Sequence, residues 1–347
     1  MSPRSTIPVA IVTGFLGSGK TTLISRILRD PAFARTAVIV NEFGEIGLDH
    51  ELIASSDETL LALTTGCLCC AVRSDLVATL LDLQRRREAG EIACDRVLIE
   101  TSGLADPAPI LHALMTDRDL AQLHVIDGIV TVVDALHGEA TLQRHAEARR
   151  QVALADTLLL SKTDISEAGD ALLQRLAALN ASAVLGTTQD AAPSTLFAGT
   201  MVASRFADLP APIVRNPFAI ADHSDNVETF ALRRDRPIPA LALTLLLEAL
   251  AEHCGARLLR LKGLVHIEEM PDQPAMIHGV QHVVSPPVFL ERWPSDDQTT
   301  RIVFITQGVP RHFPARLLEV IEQEVRDELP NHPPPPLAAG GSGRGQE

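Results

Sequence analysis

The sequence predicts a doubly wound, mostly parallel α/β domain followed by a smaller α+β domain, and three observations carry that expectation. Short β-branched runs alternate with helical patterns through the first half, which is the signature of a parallel sheet flanked by helices. Those runs hardly alternate in polarity, Val38-Ile39-Val40 being typical, as expected of strands covered on both faces. The chain has 347 residues, more than one hydrophobic core usually organises at about 150 residues per domain.

Taken in order, strands are expected at 9–13, 37–41, 96–101, 128–134 and 157–161. Leu23, Ile24, Ile27 and Leu28 make one apolar helix stripe between them, and Leu76, Leu80 and Leu83 make another. Residues 1–205 are assigned to this first domain. A stretch bearing Pro210, Pro212 and Pro217 breaks the periodicity, so 206–226 reads as a linker. The second domain, 227–329, should hold strands at 227–233, 258–268, 276–284 and 301–306 and helices at 239–253 and 314–327. The Pro/Gly-rich tail, 330–347, has almost nothing to bury and is expected to be disordered.

Composition excludes several function classes. With no Tyr, one Trp and ten Phe, the interior must be filled by Leu, Ala and Val. A formal charge of −14 repels phosphate backbones, and no block of Lys/Arg overrides it locally, so nucleic acid is not an expected partner. The apolar run at 7–12 leads straight into a glycine-rich motif, with no cleavage site for a signal peptide. The stretch 238–251 is too short to span a bilayer and contains Glu248. A soluble, cytoplasmic protein without a membrane partner is expected. Of five cysteines, three crowd into one tetrapeptide, which reads as reduced thiols rather than a disulfide framework.

Gly14-Phe-Leu-Gly-Ser-Gly-Lys-Thr21 meets G-x-x-x-x-G-K-[ST] at every fixed position, between an apolar strand and a helical stripe. In that context Gly14, Gly17 and Gly19 let the backbone N–H groups, with that of Ser18, curl around a β-phosphate. Lys20 reaches the β and γ oxygens, and the Thr21 hydroxyl is offered to Mg²⁺. The competing reading is a chance glycine-rich turn. Val97-Leu-Ile-Glu-Thr-Ser-Gly103 places Glu100 at a strand end, where a carboxylate supports Mg²⁺ through water, with Gly103 able to sense a γ-phosphate. A buried strand-end Glu satisfied by a helix N-terminus is the plain alternative. Ser161-Lys-Thr-Asp164 resembles a guanine-specificity signature whose usual first residue is Asn. Asp164 would accept from guanine N1–H and the exocyclic amine, and Lys162 would lie along the base. Ser161 is expected to hold the loop less rigidly than Asn. An ordinary helix cap after a strand would look the same.

Gly66-Cys-Leu-Cys-Cys70 puts Cys67, Cys69 and Cys70 at i, i+2 and i+3, so a short loop can wrap three sulfurs around one ion. Soft thiolates favour zinc, copper(I) or iron–sulfur clusters, and an incomplete tetrahedral set suits transfer better than permanent structure. A buried thiol cluster or a redox pair is the alternative.

The order GFLGSGKTT, VNEFGEIGLD, GCLCC, ETSGLADP, SKTD resembles the CobW-like family of GTP-dependent metal chaperones, relatives of the urease and hydrogenase accessory GTPases. Leu258-Leu-Arg-Leu-Lys-Gly263 and Arg301-Ile-Val-Phe-Ile305 look like that family's C-terminal domain. The resemblance implies a P-loop GTPase domain, with GTP phosphates bound by 17–22, including Lys20, Thr21 and Thr22, and guanine read at Lys162 and Asp164. It implies catalytic roles for Lys20, Thr21 and Glu100, with Mg²⁺ as cofactor. It further implies that Cys67, Cys69 and Cys70 bind Zn²⁺, cobalt or another divalent ion destined for a client metalloprotein. Residues 41–49 would be a switch segment whose Glu42, Glu45 or Asp49 approaches Mg²⁺ or supplies a metal ligand. A solvated acidic loop is the plain reading of the same residues. The family's His-rich stretch is absent, and His266, His278 and His282 are scattered, each most simply a neutral hydrogen-bonded histidine. Cys94 and Cys254 read as packing residues. Two rivals stay open: a P-loop kinase, which has no use for clustered thiols, and a non-catalytic zinc-sensing regulator, which would not turn over GTP.

Overall fold

The computed structural model describes residues 6–40, 60–62, 69–192 and 227–328, with the side chains of 60–62 and 69–74 left out. The expected switch segment, Cys67, the linker and the tail lie outside those residues.

Seven parallel strands make the first sheet: β1 (Ile7–Thr13), β2 (Thr36–Val40), β3 (Leu60–Ala62), β4 (Arg96–Glu100), β5 (His124–Asp134), β6 (Thr157–Ser161) and β7 (Val184–Thr187). Their order is β3-β2-β4-β1-β5-β6-β7. Helices α1 (Lys20–Leu28), α2 (Cys69–Glu88), α3 (Ala108–Thr116), α4 (Arg118–Leu123), α5 (Gly138–Arg144), α6 (Ala146–Leu154) and α7 (Asp170–Leu179) connect them. Strand residues alternate between two cores, because successive side chains point to opposite faces. Ile7, Val9, Ile11, Ala37, Ile39, Val97 and Ile99 meet Leu76, Leu80 and Leu83 of α2 and Leu111 of α3. Val12, Val38, Val40 and Leu98 meet Leu23, Ile24, Ile27 and Leu28 of α1. Both faces are thus covered, and β1 stands where the strand order reverses, the place where open α/β sheets bind ligands at the carboxyl ends of the strands.

The second sheet is antiparallel. It contains β8 (Val227–Arg234), β9 (Leu258–Ile267), β10 (Met270–Val280), β11 (Val283–Val284), β12 (Val288–Phe289) and β13 (Thr300–Gln307), ordered β11-β10-β9-β13-β8 with β12 against β10. Helices α8 (Ala240–Cys254) and α9 (Phe313–Glu328) cover one face through Leu243, Leu246, Leu250, Leu318 and Val325. On the other side Val227, Leu259 and Ile305 pack against Leu142, Val152, Leu172 and Leu176 of the first domain. The strand expected over 276–284 is a hairpin: β10 starts earlier, and Gln281, at φ 53, turns the chain so that Val280 pairs with Val283. Edge strands β3 and β7 were not expected. Cys94 and Cys254 are buried free thiols, and burial pushes both above the ordinary thiol range, as packing residues require. Among the described residues no helix is long and apolar enough to cross a membrane.

Candidate functional site

The site is built from the carboxyl ends of β1, β4, β5, β6 and β7. After β1 the chain turns through Gly14 (φ +143), Gly17 (φ +69) and Gly19 (φ +96), conformations that L side chains rarely adopt. At Gly14 a Cβ would also stand 2.3 Å from the Val132 carbonyl oxygen, so the loop can lie this close to β5 only with glycine there. Lys20 opens α1 and is buried; its Nζ donates to the Gly14 and Phe15 carbonyls at 3.0 and 3.3 Å. The ammonium is thereby held inside the loop it would serve. Thr22, next on the helix, is exposed.

Thr21 Oγ1 donates to Glu100 Oε1 at 2.8 Å, bringing together two residues 79 positions apart. Glu100 is buried at the end of β4, in register with Val12 of β1. A hydroxyl and a carboxylate at this spacing form a hard oxygen donor pair, the kind Mg²⁺ takes. Beyond Glu100, Gly103 lies against the phosphate loop, where a Cβ would stand 2.7 Å from the Leu16 nitrogen.

The Ser161-Lys-Thr-Asp164 segment leaves β6 toward the same loop. Ser161 Oγ donates to the Ser18 carbonyl at 2.6 Å. The short hydroxyl therefore ties the segment directly to the phosphate loop. Lys162 takes φ +58, and its Nζ pairs with Asp134 Oδ2 at 2.6 Å. Burial opposes ionisation of Asp134, but the Lys162 ammonium and the Leu136 and His137 donors outweigh it and hold the carboxyl below the usual carboxylate range. Asp164 Oδ1 accepts from Gln189 Nε2 at 3.2 Å, while the Gln189 Oε1 takes the Thr163 hydroxyl. Arg26 of α1 donates to the Gln189 and Ala191 carbonyls, both at 3.1 Å. Gln189 was missed in the sequence because its signal, a polar Thr-Thr-Gln-Asp stretch, follows a strand that was not expected. A cavity of about 230 Å³ lies beside the loop, lined by Phe15, Gly17, Ser18, Asp134, Gln151 and Lys162 among others.

Of the thiols, Cys69 and Cys70 begin α2, while Cys67 and Glu42 lie outside the described residues. Because β3 is parallel to β2 and α2 follows it, the start of α2 belongs to the carboxyl end of the sheet, as the phosphate loop does. Among the described residues no three His, Cys, Asp or Glu side chains are grouped to hold a metal ion. The three histidines do not converge: His266 packs on Trp293, His282 on His112, and His278 is buried.

Residues 8–185 match the family described as CobW/HypB/UreG, nucleotide-binding domain, and residues 227–322 match the cobalamin synthesis protein cobW C-terminal domain. The zinc chaperone YjiA of Escherichia coli (strain K12) is 33% identical over 307 residues, covering 88% of this chain and 95% of that protein. The zinc chaperone CobW of Pseudomonas aeruginosa is 32% identical, covering 88% of this chain and 89% of that one. The crystal structure of Zn(II)-bound YjiA GTPase from E. coli superimposes with a TM-score of 0.68 at 29% identity, over 91% of this chain and 99% of the other.

Proposed function

This chain belongs to the CobW/HypB/UreG family, and from that membership we propose that it is a GTPase acting as a metallochaperone, with zinc as cargo for a client metalloprotein. One observation carries the nucleotide half: Lys20, Thr21 and Glu100 stand together at the phosphate loop, and Ser161 ties the Lys162–Asp164 segment to that loop.

In this reading the loop N–H groups and Lys20 take the β- and γ-phosphates. Thr21 and Glu100 would hold Mg²⁺, which when bound neutralises charge on the phosphate oxygens. Asp164 exchanges the Gln189 amide for guanine N1–H and the exocyclic amine. Lys162, fixed by Asp134, lies along the base. With no arginine placed as a finger among the described residues, intrinsic hydrolysis is expected to be slow, since such a finger contributes on the order of 10³ to 10⁵ in rate.

Asp164→Ala tests the base assignment. Losing two hydrogen bonds to a charged acceptor, at about 1.5 kcal/mol each, should reduce the preference for GTP over ATP by around a hundredfold. Competition titrations showing equal affinity of the wild type for both nucleotides would leave the segment as a helix cap and favour the kinase reading.

The cargo half is supported by the thiols of the Cys67–Cys70 element and by the zinc-chaperone names of the relatives. If one mobile segment answers to both ligands, GTP must tighten zinc binding by the factor with which zinc tightens GTP binding, typically about 5- to 150-fold. Zinc affinity measured by chelator competition should therefore be higher with a non-hydrolysable GTP analogue than with GDP, and should fall in Cys69→Ser. Equal affinities in both nucleotide states would end the transfer mechanism and favour a passive zinc-sensing regulator.

A further inference from the structure

Helix α6 carries a buried polar side chain that the mechanism above does not use. Gln151 is 1% exposed, and its Nε2 donates to the Gly103 carbonyl at 3.1 Å and the Ala105 carbonyl at 3.0 Å. Both belong to the loop that follows Glu100. The Gln151 backbone carbonyl accepts from the Thr131 hydroxyl of β5 at 2.8 Å, which anchors the helix at that point. Gln151 Oε1, however, is buried without a hydrogen-bond partner among the described residues. The amide is therefore kept for its donor side, which satisfies two carbonyls of that loop, and not for its acceptor.

The clamped loop has little freedom. Gly103 already touches Leu16 so closely that a Cβ would fall 2.8 Å from its Cα, and the two carbonyls held by Gln151 flank Leu104. The loop is thus pressed between the phosphate loop on one side and α6 on the other. We propose that Gln151 is a positioning residue for the triphosphate state: its amide holds the 101–105 loop against the phosphate loop and so sets how Gly103 meets a γ-phosphate. This rests on the nucleotide reading above. The same helix runs directly into Asp156, which takes Arg260 and Lys262 of β9, so the clamp is seated on the second domain. The clamp on the 101–105 loop and the docking of the second sheet therefore share one helix.

The test separates positioning from structure by comparing nucleotides. Gln151→Leu keeps the volume and removes the amide; freeing the Gly103 and Ala105 carbonyls should lower the melting temperature, while the folded chain binds GDP unchanged. Its affinity for a non-hydrolysable GTP analogue should fall about tenfold, as loss of a paired donor implies. In Gln151→Glu the ionised carboxylate faces two carbonyls and the same loss is expected, but lowering the pH restores one donor and should partly restore analogue binding. That recovery is available even if Gln151→Leu does not fold. Equal losses for GDP and the analogue, no loss for either, or no recovery on acidification would overturn the proposal. A wild type that binds neither nucleotide would instead remove the nucleotide reading on which it stands.

Discussion

Replacing Lys20 by Ala is expected to reduce GTP turnover on the order of 10³-fold or more, while the protein stays folded. The expectation comes from where the ammonium is held. Its Nζ lies on the Gly14 and Phe15 carbonyls inside the phosphate loop, so it needs no search to reach β and γ oxygens. No described cation stands in for it there: Lys162 is committed to Asp134, and Arg26 to the Gln189 and Ala191 carbonyls. The fold should survive because the sheet beneath the loop is held by the apolar packing of Ile7, Val9, Ile11 and Val12 against its helices. Phosphate release under steady state, with a thermal melt of the same preparation, checks both halves. Unchanged turnover in a folded variant would remove the hydrolase reading.

Asp156→Ala should cost roughly 3 to 5 kcal/mol of stability, because it strands buried cations. Asp156 is buried where α6 passes into β6; it accepts from the Ile129 N–H at 2.9 Å and from Arg260 Nη2 at 2.6 Å, and it also pairs with Lys262. Arg260 is 2% exposed and cannot turn to water when the carboxylate is removed. The same cluster sets an acid limit. Burial opposes the charge on Asp156, but Arg260 and Lys262 outweigh it and hold its carboxyl far below the usual range. Burial, reinforced by repulsion from Arg260 and Lys262, holds His278 well below an ordinary histidine, and burial lowers His124 as well.

The signs agree. A histidine kept neutral in the native state binds a proton only on unfolding, so stability is complete above the unfolded value near ~6.5 and falls as pH drops below it. A carboxyl kept ionised stabilises above its unfolded value near ~3.9 and loses that contribution as pH falls further. Urea melts between pH 8 and pH 4 should therefore show a decline that begins with the histidines and steepens toward the carboxylate range. A flat profile down to pH 5 would mean that His278 and His124 are not buried neutral.

Features written into neighbouring residues were readable without the fold. The phosphate loop needs glycines at three positions of positive φ within six residues, and its flanking strand and stripe are periodic, so sequence alone located it. The apolar stripes Leu23–Leu28 and Leu76–Leu83 and the positions of the main strands along the chain were readable for the same reason. Edge strands β3 and β7 were not: they span three and four residues, too short for a strand pattern to declare itself between the flanking elements.

What the chain's local pattern determined by itself was its elements, its phosphate loop and the residue types available for chemistry. Only the tertiary structure decided which of them meet. Ser161 reaches Ser18 across 143 positions, Asp156 meets Arg260 across 104, and Gln151 meets Gly103 across 48. Those partnerships follow from strand order, which puts β6 beside β5 and brings β9 onto α6. A polar side chain such as Gln151, Gln189 or Asp156 carries no periodicity of its own; its role is set by which buried carbonyl, amide or cation the packed sheets place within about 3 Å of it.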